Sequence, residues 1–431
     1  MAEKILVDFA VLWADELLTL GPHNGNFPRA GKEMQSLGVI KRGAVASKGG
    51  RIVFVGESRD FMDRVITGKI ELLPDAAVIQ ARGKTVMPGF VDCHTHLIFD
   101  GSREEEFAHK IRGASYLDIL KKGGGILSTV RQTREADDGK LFWPALRRLE
   151  AALSHGTCTI EIKSGYGLSK DSELRILRLV QILRKRSAID IVPTFLGAHA
   201  FPLGVKREDY VAEVSATAEE VASLGLAEYC DVFCEEGAFS AEEARVILRK
   251  ARDCGLKIKL HAGEFHDLGG VELGAQLGAA SIDHLDHISK KGMRLMAEKR
   301  IVGVLLPGVS FHLMSRRYAP ARKLIDAGVP LALATDFNPG SCPTFSMQMI
   351  ITLACRQLKI TPEEAIVAST INSAHAIGRA EEVGSLEVGK KADIIILDIP
   401  TYRQLPYWFG FNLVKTVIKN GRVVYEKSVP L

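Results

Sequence analysis

The sequence predicts an α/β protein: a TIM-type (β/α)8 barrel with a second, smaller β-sandwich domain built from both chain ends. Three observations predict it. From about Met87 to Gly378, short apolar runs alternate with longer amphipathic stretches, as βα units require. Both flanks are instead rich in short β-like runs separated by glycine turns. The histidines and carboxylates of the central part gather just after the apolar runs, the face on which such a barrel does chemistry. A chain of 431 residues exceeds one ordinary compact domain but suits a large barrel with an appendage. The expected division is residues 1–86, 87–378 and 379–431, with the outer two forming one composite domain.

At the N-terminal end, Lys4 to Trp13 and Gly50 to Gly56 read as strands. At the other end Asp393 to Leu397 is a strand-like run, and Val414 to Ile418 and Arg422 to Tyr425 flank Asn420-Gly421, a strong hairpin turn signal. The central strands are expected at Val86 to Cys93, Cys158 to Lys163, Ile189 to Leu196, Tyr229 to Cys234, Lys257 to His261, Ala280 to His284, Ile301 to Leu306 and Pro330 to Thr335. Eight parallel strands close a barrel. A doubly wound open sheet would want a glycine-rich loop after an early strand. Gly123-Gly124-Gly125 does not follow one, and reads as a loop or helix boundary.

Composition removes several function classes. Net charge is +4, from 56 basic and 52 acidic residues, and no basic run is bracketed by aromatics, so nucleic acid is not an expected partner. Charged residues interrupt the first twenty positions (Glu3, Lys4, Asp8, Asp15, Glu16), against a signal peptide. No apolar stretch is long enough for a membrane span. Seven scattered cysteines without a CxxC pair read as reduced thiols of a cytoplasmic protein. The composition leaves a homodimer open.

Five of the twelve histidines fall at expected strand ends: His94, His96, His199, His261 and His284. His94 and His96 are two apart on a strand, so both point to one face and can chelate one ion. A lone His-x-His is weak by itself. His261 on strand five and Asp336 on strand eight complete an N3O set suited to one zinc or iron(II) ion with a position left for water. Glu264 follows His261 by three residues and can lean over that water. His284 lies in an unusually polar strand end with Asp283, Asp286 and His287. Lys163 ends strand two. Strand four ends in Cys234 and Glu235, and Glu235 is the position from which a second ion could be bridged.

Met87-Pro88-Gly89-Phe90-Val91-Asp92-Cys93-His94-Thr95-His96-Leu97 resembles the first barrel strand of the amidohydrolase superfamily. His261-Ala262-Gly263-Glu264, Ala334-Thr335-Asp336 and the stretch Gly384 to Asp393 extend the match. Narrower motifs resemble the imidazolonepropionases within it: Glu161 to Leu168 (EIKSGYGL), Phe195 to His199 (FLGAH) and Thr335 to Ser341 (TDFNPGS). The resemblance implies hydrolytic ring opening of 4-imidazolone-5-propanoate to N-formimidoyl-L-glutamate in histidine degradation. It also implies His94, His96, His261 and Asp336 as metal ligands, and Arg103, Tyr166, His199, Glu264, His284, Asn338, Gly340 and Ser341 as the substrate and catalytic set.

Opening a lactam needs a nucleophile at neutral pH and a proton for the departing nitrogen. Metal activation of water supplies the first. Asp336 can accept a hydrogen bond from that water. His284 and Glu264 divide the base and acid roles in an order the sequence leaves open, and Arg103 offers a planar fork to the substrate carboxylate. The alternative is an aminohydrolase that deaminates a nucleobase-like ring with the same metal residues, where an arginine fork has no use. A catalytically silent barrel acting as a binding scaffold is a third, opposed by the intact ligand set.

Overall fold

The structure, a computed structural model, describes residues 4–21, 27–113 and 124–428. Its strands form two sheets of eight. The first is built from both chain ends: β1 (Ile5–Leu18), β2 (Val39–Lys48), β3 (Arg51–Glu57), β4 (Ile70–Gln80) and β5 (Thr85–Pro88) join β14 (Ile394–Leu397), β15 (Val414–Lys419) and β16 (Arg422–Glu426). β5 is the hinge of this assembly, pairing with β1 on one side and β14 on the other. Alternation along β2 sends Val45 to one apolar face and Ala44 and Ala46 to the other, as the period of two requires.

The second sheet is the barrel. Its strands are β6 (Phe90–Asp92), β7 (Thr157–Lys163), β8 (Asp190–Ala198), β9 (Tyr229–Cys234), β10 (Lys257–Ala262), β11 (Ser281–His284), β12 (Val302–Leu305) and β13 (Leu331–Leu333), parallel and in sequential order. All eight expected strands are present, with one correction. The run from Val86 to Cys93 is not one strand, because it divides at Gly89 between the two sheets, and Gly89 N donates to Asp393 O at 3.0 Å. Added at Gly89, a Cβ would collide with the Cys158 side chain. In the glycine run, Gly123 lies outside the described residues, and Gly125 at φ 80° opens the helix Ile126–Glu135.

Between β13 and β6 the barrel is sealed by the segments beyond the strands. Thr95 and Phe337 form a parallel bridge, Asp336 N donates to His94 O at 3.0 Å, and His96 N donates to Phe337 O at 2.9 Å. Asp92 accepts from Thr335 N at 3.0 Å and from Thr335 Oγ1 at 2.6 Å. Among the described residues no helix is long and apolar enough to cross a membrane.

Candidate active site

The barrel mouth opens on a cavity of about 1020 Å³ lined by His96, Arg103, Tyr166, His199, His261, Glu264, His284, Asp336, Asn338, Gly340 and Ser341, among others. Eleven of the twelve predicted site residues therefore line one space, and the twelfth, His94, lies buried directly beneath it. At the floor, His96 Nε2 is 3.3 Å from His94 Nε2 and 3.5 Å from His261 Nε2. Asp336 Oδ1 lies 3.4 Å from His94 Nε2 and 3.2 Å from His96 Nε2.

His94, His96 and His261 form one group of donors close enough to hold a metal ion, and His94, His284 and Asp336 form a second that shares His94. Ligands at typical zinc distances in a tetrahedron sit roughly 3.3 to 3.4 Å apart. His94 Nδ1–H donates to Asp283 Oδ2 at 2.6 Å and His261 Nδ1–H to Asp231 Oδ1 at 3.0 Å. That fixes both rings with bare Nε2 lone pairs turned to the cluster, the usual arrangement of ligating histidines. Among the described residues Asp336 Oδ1 is buried without a hydrogen-bond donor, so lone pairs face one another there and a cation would relieve the conflict. Burial also lowers the pKa of His94 and His96, keeping both imidazoles neutral as ligation needs.

Beneath the cluster lies a buried ionic lattice. Lys163 Nζ is 2.7 Å from Asp231 and 2.9 Å from Glu161, and Lys259 Nζ is 3.1 Å from Glu161 and donates to Cys93 O at 2.8 Å. Burial alone would raise the Asp231 carboxyl, but His261 and Lys163 reverse this and hold it well below its ordinary value. Sequence reasoning gave these groups no part in the site. A signal existed: Lys259 precedes His261 by two and Glu161 precedes Lys163 by two, so all four face the barrel interior.

On the wall, His199 stacks on His96 with centroids 4.8 Å apart, and its Nδ1–H donates to Gly165 O at 3.0 Å, with no partner for Nε2 among the described residues. The loop carrying Tyr166 is held by buried Glu173, another residue not singled out from sequence, which accepts from Gly165, Gly167 and Leu168 N at 2.7 to 2.9 Å. Glu264 Oε2 and His284 Nε2 are 3.6 Å apart. Burial pushes the Glu264 carboxyl well up, with Asp336, Asp286 and Glu235 adding to it, and burial takes His284 well down.

Arg103 is not a free fork. Its Nε and Nη2 donate to Glu106 Oε2 at 2.9 and 2.8 Å, and among the described residues its Nη1 makes no hydrogen bond. A Cβ on Gly340 would collide with Nη1, so glycine there makes room for the guanidinium. Asn338 spends its amide on its own loop, donating to Asp336 O and Ser341 Oγ and accepting from Gly340 N and Ser341 N.

A neutral-imidazole and carboxylate donor set at the C-terminal rim of an eight-stranded barrel defines the metal-dependent amidohydrolases. The amidohydrolase family model matches residues 85–424, and the chain belongs to that family. Its curated relatives narrow the placement to the imidazolonepropionases. That of Alkaliphilus metalliredigens is 46% identical over 98% of this chain and 99% of its own length, and that of Symbiobacterium thermophilum is 47% identical over 98% of both. Solved structures share the fold at greater distance. An adenosine deaminase from Xanthomonas campestris with bound zinc superposes with a TM-score of 0.72 at 18% identity, covering 98% of this chain and 93% of that one. A triazine hydrolase variant reaches 0.74 at 16%, covering 97% and 94%.

Proposed function

We propose that the protein opens the ring of 4-imidazolone-5-propanoate with water to give N-formimidoyl-L-glutamate in histidine degradation, using one zinc or iron(II) ion per chain. The observation that carries this reading is that one cavity joins the four-donor cluster to the Arg103 guanidinium, the two grips that a lactam with a carboxylate tail requires. All seven cysteines are free thiols, which supports a reducing, cytoplasmic setting.

His94, His96, His261 and Asp336 would hold the ion, which when bound supplies Lewis acidity and lowers the pKa of water to roughly 7. The chain's own groups do the rest. Buried, neutral His284 is suited to accept the proton that water gives up. Glu264, with its raised carboxyl 3.6 Å away, is suited to deliver one to the ring nitrogen as the C–N bond breaks. Water's oxygen stays on the former carbonyl carbon. Arg103 offers its Nη1–Nη2 edge to the propanoate, and Tyr166 and His199 border the ring.

Loss of the imidazolone ultraviolet band on adding the protein tests the reaction; ammonia release from a nucleobase-like ring would favour deamination instead. Arg103 tests the substrate. Arg103→Lys should weaken substrate binding, and Arg103→Met should weaken it further, by roughly 2 to 5 kcal/mol for a buried carboxylate left unpaired. An imidazolone lacking the propanoate should lose little more with Arg103→Met. Equal losses for both substrates would show that Arg103 does not read the carboxylate.

A further inference from the structure

We infer that Glu235 is a positioning residue for Glu264: it latches the loop after β10 and so keeps the Glu264 carboxylate beside His284. The inference rests on the role given to Glu264 above. Glu235 follows β9 directly, and its side chain is 2% exposed. Its two oxygens take four donors. Oε1 accepts from Glu236 N at 2.9 Å and from the His266 ring Nδ1–H at 2.9 Å, while Oε2 accepts from Phe265 N at 2.9 Å and His266 N at 3.2 Å. A carboxylate offers about four lone-pair positions, so its acceptor capacity is filled by protein donors. Although Glu235 lines the cavity, it is spent on a neighbouring loop and is not free to bridge a second ion.

That loop needs holding. Gly263, at φ +69°, turns the chain out of β10, and its carbonyl accepts from His287 N at 2.8 Å. Glu264 comes next, followed by Phe265 and His266, the two residues that Glu235 grips. Among the described residues the Glu264 carboxylate makes no hydrogen bond, and His284 Nε2 stands 3.6 Å away. Its place beside the donor cluster is therefore set by its backbone, pinned on one side through Gly263 and on the other through Glu235. A misplacement of about 1 Å can cost on the order of 10²-fold in rate, so a latch on the residue after a proton carrier acts on turnover.

Glu235→Gln is nearly isosteric but puts an NH2 against N–H donors. The expected result is a kcat lower by roughly tenfold or more, KM within about twofold and one ion per chain retained. In a Glu264→Gln background the same substitution should cost nothing further, a non-additivity that a merely structural role would not produce. Equal losses in both backgrounds, or loss of the metal on Glu235→Gln, would overturn the proposal. Full activity of Glu264→Gln alone would overturn it together with the role of Glu264, and is told apart because Glu235 is intact there. Should Glu235→Gln fail to fold, His266→Ala removes one donor from a half-exposed ring. It should lower kcat several-fold in the native background and not in Glu264→Gln; equal effects in both would overturn the latch.

Discussion

Inside the barrel, Glu161, Lys163, Asp231, Lys259 and Asp283 lie at most 1% exposed and are joined by ion pairs to one another and by hydrogen bonds to His94 and His261. The sheet made from the chain ends has the same number of strands, yet it packs Val45, Ile52, Ile394, Ile396 and Ile418 on one face and Ala44, Ala46, Phe54 and Phe61 on the other. One buried ionic contact lies where it meets the barrel, with Lys419 Nζ 2.5 Å from Asp393 and 2.9 Å from Asp190. Buried charge is a poor way to gain stability, because desolvation opposes the attraction. The barrel's lattice is better understood as aim: Asp283 and Asp231 orient His94 and His261, and the two lysines hold those carboxylates.

Three substitutions would break or sharpen this contrast. The largest effect belongs to His94→Ala, which should abolish turnover and metal binding while circular dichroism still reports a folded barrel. Collapse of the fold would mean that aim and stability are not separable there. Elemental analysis of the native protein belongs beside it, since two ions per chain, or none in active protein, would end the single-ion proposal. Next comes Lys163→Met, which strips a cation from buried Glu161 and Asp231 and should cost about 3 to 5 kcal/mol in denaturant unfolding, as breaking a buried pair does. A neutral result would make the lattice dispensable. Smallest is Ile394→Val in the end sheet, expected to cost about 0.5 to 1.5 kcal/mol with kcat unchanged. A change in kcat there would tie the end sheet to the chemistry.

The number of barrel strands was legible because each is a short apolar run and all but the seventh, which ends in Leu306-Pro307-Gly308, run into polar residues. The division at Gly89 was not, since Val86 to Val91 is apolar throughout and only a partner, Asp393 O, shows where the chain changes sheets. That His94, His96, His261 and Asp336 lie near one another was legible because strand ends converge by the geometry of a barrel. Arg103's pairing with Glu106 was not, because sequence does not say how the residue at a helix start turns. Glu235 was considered as a metal bridge for the same reason: its strand-end position was readable, but the loop supplying three of its four donors lies about thirty residues on.

The seal between β13 and β6 is made by the segments that carry candidate metal donors, His94 and His96 on one side and Asp336 on the other. A chain emerging from the ribosome holds its first two imidazoles early, but it cannot assemble the full donor set until Asp336 has been added and the last strand has met the first. The end sheet, begun at Ile5, is completed later still, by β14 to β16. Half-made chains therefore hold at most part of that set, which is complete only once the circle of strands is joined.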